Sequence, residues 1–388
     1  MNLYFTEEHQ LFRESLRDFL QKEVVPHIDK WEEQGTIERF IWEKFGEMGY
    51  FGLTYPEKYG GLGLDIFYMV IWLEEMQRIN SGGFAAAMWA HAYLAMTHLN
   101  VEASEELKST YLADSIAGKK IGCLCITEPF GGSDVAGMRT TAKEDGDHFI
   151  INGSKTFITN GVYSDYLVVA AKTDPELGGK GISIFLMDRE MPGISATKLN
   201  KLGWRASDTA ELAFDNVKVP KTHLLGERGK GFQYIMQHFA SERLIMGINA
   251  HARAEYALEY ALQYMNDRVA FGKKLTEFQA LRHKFVERAS EVEMVKQFNY
   301  TIAKRMDMGD YVVKEASMSK MLSTKIADET IYDCLQFLGG YGYIEEYPLA
   351  RMLRDSRLGP IGGGTSEILK EILAKTIIDK KEYKPAAK

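Results

Sequence analysis

Two short segments carry hydroxyls, glycines and an aromatic ring at spacings that suit a planar, hydrogen-bonding ligand. The first is Ile126-Thr127-Glu128-Pro129-Phe130-Gly131-Gly132-Ser133-Asp134, at the end of an apolar stretch. Pro, Gly, Ser and Asp are the residues of a strand-to-loop turn. The same residues also suit the edge of a flavin, with Thr127 and Ser133 offering hydroxyls and the loop offering exposed backbone amides. The second, Lys155-Thr156-Phe157-Ile158-Thr159-Asn160-Gly161, reads either as a hairpin strand or as an aromatic face plus a hydroxyl donor for the same ring. Other nucleotide chemistry has no foothold: no complete G-x-G-x-x-G follows a strand pattern, and no G-x-x-x-x-G-K-[ST] occurs. Neither H-E-x-x-H nor G-x-S-x-G is present, which leaves metal and serine hydrolysis without an anchor.

The elements that hold these segments are legible as changes of hydrophobic period. From Thr6 to about Gly118 the pattern is helical: Thr6 suits an N-cap, Glu7 and Glu8 the first turn, and Phe12, Leu16, Phe19 and Leu20 share one face. Ile41, Phe45 and Met48 repeat the spacing. Pro56 and the glycines at 60, 61 and 63 interrupt it with a loop, and helices resume near Asp65 and Gly83. At Ile121 the pattern turns strand-like, with runs at 121–126, 149–151, 155–159, 166–171, 182–187 and 210–219. Asn152-Gly153 predicts a two-residue hairpin turn, since both turn positions favour positive φ. Helical patterns return at Gly231, broken by Gly339-Gly340-Tyr341-Gly342 and Gly362-Gly363-Gly364, and 380–388 reads as a frayed tail. Three units follow, at 1–120, 121–230 and 231–388.

A chain of 388 residues with 45% hydrophobic and 26% charged residues has ample material for a buried core. Its net charge, 47 − 54 = −7, argues against a nucleic-acid partner. Cys123, Cys125 and Cys334 are few and lack zinc-ligand spacing, which favours a reducing compartment. The acidic N-terminus runs straight into a helix, and apolar stretches break within about a dozen residues, short of the ~20 that a membrane span needs. A soluble, cytoplasmic protein without a membrane span is expected.

Taken together, the Ile126–Asp134 and Lys155–Gly161 segments resemble the acyl-CoA dehydrogenase family. The resemblance extends through Lys201-Leu202-Gly203-Trp204-Arg205-Ala206-Ser207-Asp208-Thr209, Arg268-Val269-Ala270-Phe271-Gly272 with Gln279, Gln336-Phe337-Leu338-Gly339-Gly340-Tyr341-Gly342-Tyr343, and Gly364-Thr365-Ser366-Glu367. It implies an α+β fold: an N-terminal helical domain, a middle β-barrel-like domain and a C-terminal four-helix bundle, assembled as a homotetramer. It implies FAD as cofactor, acyl-CoA as substrate and electron-transfer flavoprotein as electron acceptor. By the same resemblance Leu124, Ile126, Thr127, Gly132 and Ser133 line the isoalloxazine, with Phe157 over one ring face and Ile158 and Thr159 at its edge. Arg268, Phe271 and Gln279 would reach a neighbouring subunit's FAD, with Gln336, Gly339, Gly340, Thr365 and Glu367 completing the dinucleotide contacts. Ser133, Phe239, Arg243, Gly363 and Gly364 would contact the acyl-CoA.

The resemblance also locates the base. Many members of the family carry a Glu immediately before the late Gly-Thr, where this chain has Gly363. The long-chain and isovaleryl-CoA members place it on a bundle helix before Arg-Leu, and Ser241-Glu242-Arg243-Leu244 matches that pattern. Glu242 is thus expected to be the catalytic base, its pKa raised in an apolar site, while Gly363 keeps a backbone N–H for the thioester carbonyl. Phe130 and Phe157 depart from the residues commonly found at those places. The competing expectations are an acyl-CoA oxidase or a flavin monooxygenase on the same fold, and a non-catalytic CoA-binding protein. The alanine-rich stretch from Phe84 to Met96 resembles the helix along the acyl pocket and favours a medium-to-long straight chain.

Overall fold

A computed structural model describes residues 3–383. Eight helices open the chain: α1 (Glu7–Phe19), α2 (Ile28–Gln34), α3 (Arg39–Glu47), α4 (Ile66–Gln77), α5 (Gly82–Ala90), α6 (Met96–Glu102), and the short α7 (Glu105–Leu107) and α8 (Ala113–Ile116). Thr6 caps α1 in a reciprocal box with His9. Asp65 and Ser81 cap α4 and α5 through the backbone N–H groups of Phe67 and Phe84. Both α4 and α5 are apolar on nearly every side, so they form the inner layer that the amphipathic α1 and α3 cover. Trp31 stacks on Phe84 with ring centroids 5.3 Å apart, and Trp42, Phe45, Phe51 and Trp72 fill the space around them.

The middle of the chain is a sheet of β1 (Gly122–Cys125), β2 (Thr141–Asp145), β3 (His148–Thr159), β4 (Tyr166–Lys172), β5 (Ile182–Asp188), β6 (Ile194–Lys198), β7 (Thr209–Pro220) and β8 (Leu224–Leu225). Its order is β6-β7-β3-β2-β4-β5-β8, with β1 added in parallel to β4. The expected hairpin at Asn152-Gly153 is not there. The two runs on either side of it form one strand, β3, which passes straight through, and the hairpin turn lies at Gly146-Asp147, between β2 and β3. Asn152-Gly153 instead marks a register shift against β7. Glycine is required there by close approach, since a β-carbon at 153 would meet Thr140 Oγ1 at 2.5 Å. The sequence reading also overlooked β2 and β6, whose side chains are mostly polar and exposed.

Five helices close the chain: α9 (Gly231–Asp267), α10 (Gln279–Asp307), α11 (Val313–Leu338), α12 (Pro348–Ser356) and α13 (Ser366–Ile377). Helices α9, α10 and α11 pack along one another, and α9 and α10 also pack against α4, which joins the bundle to the N-terminal helices. His91, just after α5, joins those helices to the sheet: its ring pairs with the Ser115 carbonyl at 3.2 Å and accepts the Gly122 N–H at 3.0 Å. Burial lowers its pKa to about 4, so it serves as a neutral strut. Among the described residues no helix is long and apolar enough to cross a membrane. Residues 384–388 of the expected tail lie outside the described residues.

Candidate active site

The loop after β1 is shaped by a buried ion pair. Lys155 Nζ, on β3, donates to Glu128 Oε1 at 2.8 Å and to the Ile126 carbonyl at 3.0 Å. The Glu128 carboxylate also accepts the backbone N–H groups of Arg139 and Thr140. Burial works to raise the Glu128 pKa, but the Lys155 ammonium and these donors hold it below the usual carboxylate value. Next to this pair the Thr156 N–H donates to the Thr127 carbonyl at 2.9 Å, which joins the loop to β3. Pairing of β3 with β7 slips again between Lys155 and Ile158, and Phe157 there takes φ 60° and stands 69% exposed. A large aromatic side chain in the left-handed region, facing outward, is held there for a ligand or partner rather than by the core.

The segment from Lys201 to Asp208 supports the far end of β3. Asp208 accepts the N–H groups of Val162 and Tyr163, and its carbonyl accepts the Asn160 N–H at 3.2 Å. Burial pushes the Asp208 pKa up to about 6. Asn160 then donates from its side chain to the Ala87 carbonyl of α5 at 2.9 Å. In this way two of the sequence motifs fix the orientation of Thr159.

The hydroxyls of Thr127, Ser133 and Thr159 make no hydrogen bond within the described residues, and Thr127 and Thr159 are half-buried. Unspent hydroxyls beside an outward-facing Phe157 fit the polar rim and face of an isoalloxazine. Ile158 has its side chain in the β core, so only its backbone is available to a cofactor. Leu124 and Ile126, half-buried, pack against the same core as Phe239, Met246 and Leu358, which brings the β loop to α9 and the late loop. Phe130 points into solvent with Arg139 4.5 Å above its ring, so it leaves the tight Glu128–Gly131 turn undisturbed.

On α9, Glu242 faces the late loop. A β-carbon at Gly363 would lie 3.4 Å from Glu242 Oε1 and 3.5 Å from Met246 Cγ. Protein surrounds the carboxylate densely although it keeps an opening to the cleft, and burial raises its pKa against the opposing pull of Arg243 and Lys320. No described residue donates a hydrogen bond to it, so both oxygens are free to take a proton. Lys320 Nζ, from α11, donates to the Gly364 carbonyl at 2.6 Å and anchors the loop beside Glu242. Arg243 is buried, donating to Ser317 Oγ at 3.3 Å, with its guanidinium 5.5 Å from the Phe239 ring centre. The Arg243 Nε has no partner.

The remaining residues expected at the cofactor fall on open surface. Arg268, Gln279, Gln336 and Glu367 are exposed, and Phe271 is 96% exposed at φ 51°. A β-carbon at Gly339 or Gly340 would meet nothing within 4 Å, so packing within the chain does not demand either glycine. Of the two, only Gly339 has a positive φ, 58°. Thr365 has a task of its own, capping α13 through the Ile368 N–H. Ala85, Ala86 and Ala87 are fully enclosed, and a small cavity beside their helix is lined by Trp89. Lys320 and the Lys155–Glu128 pair escaped the sequence reading. Their only signal was a lysine inside an otherwise apolar or small-residue pattern.

The chain belongs to the acyl-CoA dehydrogenase family. Models of the family's N-terminal, middle and C-terminal domains match residues 6–119, 123–217 and 229–378. It is 40% identical to the mitochondrial long-chain specific acyl-CoA dehydrogenase of Sus scrofa over 97% of this chain and 88% of that protein. To the mitochondrial isovaleryl-CoA dehydrogenase of Oryza sativa subsp. japonica it is 36% identical, over 97% and 92%. An acyl-CoA dehydrogenase from Geobacillus kaustophilus superposes with TM-score 0.95 at 40% identity, covering 97% of this chain and all of that one. One from Bacillus anthracis, complexed with FAD, gives 0.91 at 30% identity, over 97% and 69%. A chain in a structure of the electron transferring flavoprotein of Acidaminococcus fermentans gives 0.94 at 33%, over 97% and 100%. The protein is an FAD-dependent oxidoreductase of the acyl-CoA dehydrogenase type, which removes hydrogen from the α and β carbons of an acyl-CoA thioester.

Proposed function

We propose that Glu242 is the base that takes the α-proton, that the Gly363 N–H polarises the thioester carbonyl, and that the substrate is a medium-to-long straight-chain acyl-CoA. The observation that carries this reading is the 3.4 Å between Glu242 Oε1 and the place of a Gly363 β-carbon. The late loop has surrendered its side chain where the helix supplies a carboxylate. FAD, when bound, supplies the acceptor for the β-hydride. Thr127, Ser133, Phe157 and Thr159 would hold its ring system, while Glu242 takes the α-proton and becomes a neutral acid.

The raised pKa of Glu242 brings it closer to neutrality, where a base combines basicity with availability. Negative charge developing on the thioester oxygen meets the Gly363 N–H, held in place by the Lys320 bond to the next carbonyl. Arg268, Phe271 and Gln279 would serve the FAD of a second subunit in a homotetramer, and electron-transfer flavoprotein would take the electrons. The exposed Phe271 and the empty space over Gly339 and Gly340 support the first of these; the Acidaminococcus likeness supports the second.

An anaerobic titration of the holoenzyme with acyl-CoAs of graded length and branching, followed by flavin bleaching, tests the reading. Bleaching that strengthens with straight-chain length is expected. A maximum at isovaleryl- or butyryl-CoA would overturn the substrate class, and bleaching unchanged in Glu242→Gln would overturn the base.

A further inference from the structure

Arg253 lies on the same face of α9 as Glu242 and Met246, three turns beyond the base. Eleven residues of helix span about 16 Å, the length of an extended chain of about a dozen carbons. Its side chain is buried, yet it makes no ion pair among the described residues. Its only hydrogen bonds among the described residues are two to Gln77 Oε1, at 3.1 and 2.7 Å, and Gln77 donates in turn to Asn249. The nearby Asp355 is committed elsewhere, accepting the backbone N–H groups of Gly82 at 2.9 Å and Trp204 at 2.6 Å. Guanidinium N–H groups are therefore left without an acceptor among the described residues on a side chain only 8% exposed, an arrangement that is unfavourable unless something accepts from them.

Arg253 lines a small cavity together with Trp89, Trp204, Met246, Asn249 and Thr324. Trp204 contributes a second donor: its indole Nε1 is buried without a partner. Both donors close on the bare Cα of Gly82, where a β-carbon would lie 2.8 Å from Trp204 Nε1 and 2.9 Å from Arg253 Nη2. Met246 lines this cavity as well. The Met246 side chain also borders the late loop, 3.5 Å from the place of a Gly363 β-carbon. A methionine is unbranched and flexible, so it can turn aside for an alkyl chain where a β-branched residue would block the way.

We propose that this cavity is the terminal subsite of the acyl channel and that it receives an oxygen acceptor, so the enzyme takes acyl-CoA chains oxygenated at the ω end. Asn249, Thr324 and Ser356 also line the subsite but are already paired, with Gln77 and the Ile245, Lys320 and Leu353 carbonyls. The uncommitted groups are therefore the donors of Arg253 and Trp204, which match a hydroxyl or a carboxylate and mismatch a methyl group. This rests on the reading of Glu242 as the base, because the chain length is counted from the carbon beside it. Asp328 and Glu32 lie in the same neighbourhood as Asp355, so hydroxyl and carboxylate termini will differ, and both belong in the test.

The experiment is anaerobic flavin reduction of the holoenzyme by acyl-CoAs of 8 to 16 carbons, each with a methyl, hydroxyl or carboxyl terminus. The readout is the ratio of kcat/KM for the oxygenated chain to that for its methyl parent. An oxygenated terminus is expected to win by about 10- to 100-fold at one length near a dozen carbons. In Arg253→Met, and more mildly in Trp204→Phe, the ratio should fall toward or below one. Preference for the methyl terminus at every length in the wild type would overturn the proposal, and that comparison needs no variant. So would a ratio unmoved in folded, flavin-loaded Trp204→Phe and Arg253→Met. A hydroxyl-only preference makes the subsite one for a neutral oxygen; a carboxylate preference makes it one for a dicarboxylic chain. Failure of every acyl-CoA to reduce the flavin would instead overturn the dehydrogenase base assignment.

Discussion

Gly363 and Glu242 share one corner of the candidate active site, the first with no side chain and the second with a carboxylate whose Oε1 lies 3.4 Å from where a β-carbon of the first would be. A carboxylate anchored on either backbone reaches the same region. Glu242→Gln is therefore expected to bind FAD and acyl-CoA nearly as the wild type does, while flavin reduction falls by several orders of magnitude. Adding Gly363→Glu to it should recover part of the loss. Recovery will be incomplete because Gly363 sits at φ 61°, where a side chain is strained by about 1–2 kcal/mol. Rapid-reaction measurement of both variants checks this, and near-normal reduction in Glu242→Gln would remove Glu242 from the mechanism.

The raised pKa of Glu242 has two consequences of opposite sign. Burial is its chief cause, with Arg243 and Lys320 pulling back. The base acts when deprotonated, so reduction should speed up as pH rises through the raised value and then level off. Stability runs the other way. The folded value lies above the ordinary 4.5, so the contribution to stability is fully present below that pH and is lost as pH rises through the folded value. Glu242→Gln removes this titration. Its Tm should exceed that of the wild type by a few degrees at pH 8 and converge with it toward pH 4.5. A Tm difference that does not vary with pH would contradict the assignment.

Lys320 acts on the same corner through two routes. Its ammonium holds the Gly364 carbonyl at 2.6 Å, and its charge stabilises the Glu242 carboxylate. Burial brings its own pKa down to about 8, with Glu242 drawing it up. In Lys320→Met the loop loses its anchor and the base loses a cation, so the alkaline-going limb of the rate profile should move to higher pH. A fall in kcat/KM of about 10- to 100-fold is expected from misplacing the Gly363 N–H. Lys320→Arg keeps the charge and should leave the limb near its wild-type position even where kcat falls. If both variants lose rate with no movement of the limb, the lysine serves only to hold the fold.

Glu242 stood out in the sequence because Arg243 and Leu244 follow it in a pattern and position 363 is a glycine, and the fold places its carboxylate beside Gly363. Lys320 did not, since a lysine on a long helix ordinarily faces solvent and only packing shows it enclosed. The same limit hid Arg253 and the Lys155–Glu128 pair, whose burial depends on contacts far apart in the chain. Asn152-Gly153 misled in the opposite way. Its local preference for a turn was overridden by pairing of β3 with β7 on one side and Thr140 on the other. Local chemistry thus located the Thr6 cap and the helix start at Asp65, whereas the buried charges became visible only once the three units were assembled.

The last expectation concerns the surface around Phe271. A phenylalanine that is 96% exposed, strained at φ 51° and flanked by the exposed Val269 is unfavourable on an isolated chain. Nearby Arg268 and Gln279 are likewise uncovered, and their side chains have no hydrogen-bond or ion-pair partner among the described residues. If these residues hold the FAD of a neighbouring subunit, flavin content and assembly must depend on them together. Phe271→Ser and Arg268→Ala should each lower bound FAD per chain and shift the protein toward smaller species in light scattering. Excess FAD should restore both, because ligand that binds only the assembled form draws the equilibrium back. A fully flavin-loaded monomer, in the wild type or in either variant, would show instead that each chain holds its cofactor alone and that Phe271 meets some other partner.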